Sequence, residues 1–590
     1  MTRPRVWAPR ADRVDLDLGT REVAMTRGDG GWWEPPDGVD VDHGDGYAFR
    51  LDGGPPRPDP RALWLPDGVH GAARGYDHGR YEWGDGGWRG VQLAGSVLYE
   101  MHVGTFTPGG TFDAAIERLD HLVDLGVDAV EVLPVASYDG PRGWGYDGVA
   151  LYAVHEPYGG PDGFKRFVDA CHQHKLGVVL DVVYNHVGPV GNYLGEFGPY
   201  FNEHYSTPWG PAINYSGRGS DDVRRWAVDN ALMWLHDYHV DGLRLDAVHA
   251  IVDTRAVHLL EEMSRDVDAL AAHTGRPLFL VAESDLNDPR LVTAREAGGY
   301  GLTAQWADDP HHALHALLAD EHQGYYCDFG SLETLANAME SPYHHAGTWS
   351  TFRGRTHGRP LDRDSVPATR FVTYLHNHDQ VGNRATGDRM SSYLSPGRLR
   401  IGAALLMCSP YVPMLFMGEE WGATTPWQFF TSFTDPAIGD AVREGRRAEF
   451  GSHGWASDDV PDPQDPATYE RSVLDWAEAG KDEHRELLDW HRQLIALRKS
   501  RPELTDPWLR TVRTSYDEER RWLVVRRGPA EGGRGDADGG VAVAVNLATE
   551  PQRVPLGAEI AEILLASQDV RSYGDEVELP GESVAVVTLR

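Results

Sequence analysis

The stretch GVVLDVVYNH (177–186) is an apolar run that ends abruptly in polar residues. Its Val- and Leu-rich body reads as a strand buried on both faces, the kind that parallel sheets use. Before it, Phe164, Phe167, Val168 and Cys171 fall at i, i+3, i+4 and i+7, one face of a helix. After it comes a Gly-, Pro-, Tyr- and Asn-rich segment, 184–220, too long for a simple strand–helix connection, then a helix over about 221–239. The same alternation continues outward in both directions. Upstream lie VLYEMHV (97–103) and AVEVLPV (129–135), with a helical stripe of Ile116, Leu119, Leu122 and Val123 between them. Downstream lie GLRLDA (242–247), a helix over about 254–273, LFLVAES (278–284), TAQWADD (303–309), RFVTYLHN (370–377) and VPMLFMG (412–418). A last helix near 485–499 carries Leu487, Trp490, Leu494 and Leu497 on one side. Eight strand–helix alternations over about 400 residues predict an α/β fold, a (β/α)8 TIM barrel with extended loops. A doubly wound sheet would show a Gly-rich phosphate turn after an early strand, and none is present.

The flanks read differently. VWAP, VDLDL and YAFRL are short strand-like runs among Gly, Asp and Pro clusters, which predicts an N-terminal β-sandwich domain over 1–93. The barrel is expected over 94–505, with its insertion at about 184–220. RWLVVRR, VAVAVNL and SVAVVTLR predict a C-terminal β-sandwich domain over 506–590, in which PAEGGRGDADGG (529–540) reads as a hairpin loop.

Composition narrows the function classes. Acidic residues number 90 against 55 basic ones, a formal charge of −35, which disfavours nucleic acid as a partner because phosphate binding needs basic clusters. No apolar run approaches the ~20 residues of a membrane span, so no membrane partner is expected. The start, MTRPRVWAPRADRVDL, has no apolar core of a secretory signal. Cys171, Cys327 and Cys408 form neither a metal pattern nor an even disulfide set, and suit a reducing cytosol. A cytoplasmic monomer or homodimer is the expectation. The 19 Trp and 24 Tyr fit flat sugar platforms and large cores equally well.

In such a barrel, chemistry sits at the C-terminal ends of the strands. Strand three carries Asp181 and runs into Asn185 and His186, strand four carries Arg244 and Asp246 with His249 beyond, strand five leads to Glu283, and strand seven to His376, His378 and Asp379. Each strand-end Asp could cap a helix; four polar endings on one mouth point to a site. Arg244 and Asp246 are two apart, so they point the same way, and a guanidinium beside a carboxylate favours its ionised form. Glu283 emerges from an apolar strand, where desolvation favours the protonated form. One ionised and one protonated carboxyl make a glycoside-cleaving pair. Metal binding by the His residues is the competing reading. No HExxH is present and no Asp/Asn-rich calcium loop occurs, so no metal and no cofactor are expected.

DVVYNH (181–186), GLRLDAVH (242–249), VAES (281–284) and HNHDQ (376–380) resemble, in this order, the four signature segments of the α-amylase superfamily of glycoside hydrolases. Within it, PDPR…PDGVHG (58–71), YGGPDGFKRFVDACH (158–172), FGPYF…TPWGPAINYSG (197–217), AESDLNDPRLV (282–292) and HNHDQVGNR (376–384) look most like the malto-oligosyltrehalose trehalohydrolases. FMGEEWG (416–422) also fits but is shared with glycogen branching enzymes. The resemblance implies a retaining hydrolase that cleaves the α-1,4 bond adjoining the terminal trehalose of malto-oligosyltrehalose. It implies Asp246 as nucleophile, Glu283 as general acid and base, and Asp379 as transition-state stabiliser. Arg244 positions Asp246, His186 and His378 contact the reacting sugar, Tyr146 stacks on it, Asp181 and Asn185 support the site, and His249 meets the leaving sugar. Asp253 and Trp421 are candidates for the trehalose pocket; a helix N-cap is the other reading of Asp253, and core packing that of Trp421 and Trp427. A branching transferase shares the catalytic set, and a non-catalytic glucan-binding protein is the remaining alternative.

Overall fold

Eight parallel strands close into a barrel in chain order: β1 (Leu98–Met101), β2 (Ala129–Val132), β3 (Gly177–Val182), β4 (Gly242–Leu245), β5 (Phe279–Ala282), β6 (Ala304–Trp306), β7 (Phe371–Tyr374) and β8 (Val412–Phe416), with β8 paired to β1. The computed structural model describes residues 3–451, 460–528 and 539–590. Every residue of the eight strands is buried, which is why their sequences are mainly apolar, interrupted by single polar residues such as Glu100, Glu131, Asp181 and Arg244, and do not alternate. Leu98, Ala129, Val179, Val281, Trp306, Tyr374 and Met414 belong to one cluster that fills the barrel. The other faces join a much larger cluster with the surrounding helices.

The helix that precedes β3, Gly160–Gln173, buries Phe164, Phe167, Val168 and Cys171 as its spacing predicts. The stripe between β1 and β2 departs from expectation. It is two pieces, Phe112–Ile116 and Leu119–Leu125, and the break between them resets the helical phase. Leu119, Leu122 and Leu125 turn inward, while Val123 is 42% exposed. Segment 184–220 holds a short helix, Leu194–Phe197, and a hairpin, Phe201–Thr207 with Gly210–Ile213.

Before the barrel, two small antiparallel sheets share a core that includes Val6, Val14, Leu16 and Phe49. They are bolted to the β3–β4 connection. The Trp32 indole donates to Asp222 (2.8 Å), Arg61 pairs with Asp229 (2.9 Å), Trp226 donates to the Pro60 carbonyl (3.1 Å), and Trp7 meets Tyr200 edge-on. After the barrel, a five-stranded and a three-stranded antiparallel sheet face each other over Val524, Ala544, Val577, Leu579 and Val587. Of the expected hairpin loop 529–540, residues 529–538 lie outside the described residues. Among the described residues, no helix is long and apolar enough to cross a membrane.

Candidate active site

Arg244, fully buried on β4, organises the mouth of the barrel. Its Nη1 donates to Asp181 Oδ2 (2.8 Å) and to Asp246 Oδ1 (2.9 Å), and its Nη2 stands 3.7 Å from Glu283 Oε2. The same guanidinium lies over the Trp306 ring, 4.3 Å from its centroid, a cation–π contact that fixes its plane. The second Asp246 oxygen accepts from Asn185 Nδ2 (2.7 Å), which also donates to the Asp246 carbonyl (2.8 Å). Both carboxylate oxygens of Asp246 are thus met by donors, which serves a negative charge.

Glu283 follows β5. Its Oε2 accepts from the Ala247 N–H at 2.5 Å. Ala247 sits at φ +37°, left-handed backbone that a Cβ-bearing residue rarely adopts, and this turn is what aims its N–H at Glu283. Burial pushes the Glu283 carboxyl up to about 8; Arg244 opposes the shift, and the charges of Asp246, Asp379 and Asp308 add to it. The group is therefore protonated at neutral pH, as a general acid must be. The consequence is an alkaline limb. If Glu283 is the acid, activity (kcat/KM) should fall as pH rises through about 8, where its carboxyl would lose the proton. A pH–rate profile flat to pH 10 would remove Glu283 from the acid role.

Asp379 lies in the first turn of a short helix, His378–Gly382, that Asn377 caps. It is the most open of the three acids, with its side chain 43% exposed. His378 is clamped beneath it: Glu100 accepts from its Nδ1 (2.6 Å) and from its backbone N–H (2.8 Å), and its Nε2 donates to the Tyr146 hydroxyl (2.7 Å). Burial works against its charge, but Asp379 and Glu100 outweigh it and raise the imidazole to about 9. Tyr146 in turn donates to Asp181 Oδ2 (2.5 Å), and its ring stacks with His378. Asp181, lifted by burial to about 6 with Arg244 opposing, closes the chain back to Arg244. His186 bonds the Tyr146 carbonyl through Nε2 (2.9 Å) and faces Asn185 Oδ1 through Nδ1. The Trp209 indole, 50% exposed on the 201–213 hairpin, stacks on its other side (4.9 Å, 18°).

The structure therefore brings together Asp246, Glu283, Asp379, Arg244, Tyr146, His186, His378, Asp181 and Asn185. His249 lies beside Glu283's neighbours, exposed and 4.0 Å from Asp285 Oδ1. Asp285 is held by Arg353 (3.0 Å), delivered by the hairpin of Thr348–Ser350 and Arg355–His357. His376 turns away: its Nε2 accepts from the Met390 N–H.

Two expectations fail. Trp421 is completely buried against Trp476 and His121, and Trp427 stacks on Trp144 in the same core (4.3 Å, 20°), so neither indole is open to a sugar. Asp253 is also no substrate contact. It is buried, pairs with Arg224 (2.5 Å) and accepts from the backbone of Leu259, the first residue of helix Leu259–Thr274 (2.7 Å). Its carboxylate compensates a buried guanidinium that also meets Glu262. Asp253→Asn should cost about 3 kcal/mol of stability and leave KM unchanged. Denaturant unfolding and steady-state kinetics check this; a large KM rise at unchanged stability would restore the substrate role.

Sequence reading missed Glu100, Asp285 and Arg353, and named Trp209 only as part of a segment. Glu100 left a signal, an acid inside the apolar run VLYEM; Arg353 left none, since it reaches Asp285 across 68 residues. Among the described residues, no cluster of three or more His, Cys, Asp or Glu side chains is arranged to hold a metal ion.

The chain was compared with known proteins. Residues 79–207 match the family model described as alpha amylase, catalytic domain, and residues 507–586 match a domain of unknown function, DUF3459. A malto-oligosyltrehalose trehalohydrolase of Arthrobacter ramosus is 53% identical over 99% of each chain. Its counterpart in Mycobacterium tuberculosis is 52% identical over 99% of this chain and 98% of its own. The crystal structure of a putative alpha amylase from Salmonella typhimurium superposes with a TM-score of 0.90 at 38% identity, over 100% of this chain and 97% of that one. A 1,4-alpha-glucan branching enzyme of Mycolicibacterium paratuberculosis is much more distant, at 28% identity over 72% of this chain and 59% of its own. The chain belongs to the malto-oligosyltrehalose trehalohydrolase family, glycoside hydrolases of the alpha-amylase type.

Proposed function

We propose that this enzyme hydrolyses the α-1,4 bond adjoining the terminal trehalose unit of malto-oligosyltrehalose, releasing trehalose and a malto-oligosaccharide with retained configuration. The observation that carries this reading is the single Arg244 guanidinium shared by Asp246 (2.9 Å) and Glu283 (3.7 Å). It gathers the two carboxyls around one point while burial keeps Glu283 protonated against the guanidinium's pull, the arrangement that a double displacement requires.

In the first step, Glu283 gives its proton to the glycosidic oxygen while Asp246 forms a bond to the anomeric carbon. Trehalose leaves as a neutral sugar. Glu283, now a carboxylate, takes a proton from water, whose oxygen displaces Asp246 from the same carbon. Asp379, open to the cleft, faces the positive charge that develops on the ring. His378 and His186 back Tyr146, the platform for the reacting sugar: their ring nitrogens are engaged by Glu100, by the Tyr146 hydroxyl and carbonyl, and by Asn185. Asp181 and Asn185 hold Arg244 and Asp246 in place. On the leaving-group side, His249, Asp285 and Arg353 form a polar wall beyond Glu283 suited to a sugar pair that has no free reducing end.

Supplying malto-oligosyltrehalose and a plain malto-oligosaccharide side by side tests this. Free trehalose from the first, with little attack on the second, is the expected outcome. New α-1,6 linkages on amylose would mark a branching transferase instead, and binding without turnover would mark a non-catalytic glucan binder.

A further inference from the structure

The barrel interior holds an acid that the steps above leave idle. Glu131 on β2 is 1% exposed. It lies two residues along from Ala129, part of the cluster that fills the barrel, so it too turns inward. It is in register with Glu100 on β1. Both Glu100 oxygens are engaged by His378. Glu131 has no such partner: neither of its oxygens is within hydrogen-bond reach of any described residue. The same is true of Arg244 Nε and Nη2 and of Asp181 Oδ1. These five buried polar atoms belong to three adjacent strands, β2, β3 and β4. Burial and then the charge of Glu100 hold the Glu131 carboxyl well above its usual range, with Arg244, Asp181 and His378 the other charges acting on it.

Each such atom left dry costs about 1–3 kcal/mol, and buried polar atoms of this kind are normally satisfied by enclosed water. A protonated carboxyl suits that task because it offers one donor and one acceptor, whereas a carboxylate could only accept. We propose that Glu131 is a positioning residue for hydrolysis: through water enclosed beneath the site, it holds the inner edge of the Arg244 guanidinium and keeps Nη1 aimed at Asp181 and Asp246. The proposal rests on the role given to Asp246 above. It adds that the guanidinium is held from below as well as by its acidic partners.

Two substitutions test it. Glu131→Gln keeps a donor and an acceptor at the same reach, and kcat should stay within about threefold of the wild type. Glu131→Leu keeps volume but cannot bind water, and kcat should fall by ~10–100-fold from a misplaced Arg244, with KM within about twofold and Tm within a few degrees of the wild type, because the desolvation cost of the buried carboxyl is removed together with its hydrogen bonds. Wild-type kcat in the leucine variant would overturn the proposal. So would a glutamine variant as impaired as the leucine one, or a loss of kcat that merely follows a lowered Tm. Should the leucine variant fail to fold, Glu131→Met is held to the same criteria. The assay uses whichever α-glucan the wild type cleaves fastest. Failure of the substrate assignment then shows in the wild type alone, and failure of this proposal in the contrast between variants.

Discussion

Asp246→Asn should lower turnover of malto-oligosyltrehalose by at least ~10⁴-fold while leaving substrate affinity within a few-fold. The amide cannot form the glycosyl-enzyme, and it carries no charge to stabilise a cationic ring. Shape is preserved, so the sugar still fits. The substitution has a structural cost as well. Asp246 accepts from Arg244 on one oxygen and from Asn185 on the other. An amide has only one oxygen, so one donor will face another. Asn185 cannot flip to relieve this, because its Nδ2 also donates to the Asp246 carbonyl and its Oδ1 faces His186. A stability loss of about 1–2 kcal/mol follows, small beside the kinetic effect. Stopped assays of trehalose release, with calorimetric binding as control, decide the matter. Turnover near the wild-type rate would strip Asp246 of the nucleophile's role.

The second large effect is expected at Glu283. Glu283→Gln keeps an oxygen for the Ala247 N–H but has no proton to give, so the first step should slow by ~10²–10⁴-fold on the natural substrate. A malto-oligosyl fluoride needs no protonation to depart. It should therefore recover much of the first step and show a burst of fluoride, followed by a slow phase in which water attacks without a base. The alkaline limb near pH 8 should vanish with the carboxyl. If the fluoride is cleaved no better than the natural substrate, relative to wild type, the acid role fails.

The barrel was legible because parallel strands covered on both faces are apolar along most of their length. The acids assigned to catalysis in the proposal were legible for the same reason: Asp246 and Glu283 stand where the apolar runs stop. What escaped depends on partners far away in sequence. Asp253 has the polarity of a ligand-binding residue, and only the position of Arg224 shows that it serves a buried ion pair. Trp421 and Trp427 resemble sugar platforms by type, and only the packing of Trp476 and Trp144 shows both indoles enclosed. Val123 obeys the spacing of its helix, yet the buried face of Leu119–Leu125 runs through Leu119, Leu122 and Leu125 and leaves Val123 at its solvent edge. Arg353 reached the cleft on a hairpin that no periodicity announces.

The ties between the leading sheets and the β3–β4 connection bear on how small a working catalyst can be made. Trp32, Arg61 and Trp7 grip the stretch that also presents Trp209 to His186. One side of the candidate site is thus propped from outside the barrel. Excising the first ninety or so residues should leave Asp246 and Glu283 at the ends of their strands but let that side subside, the behaviour of a retaining wall and not of a detachable anchor.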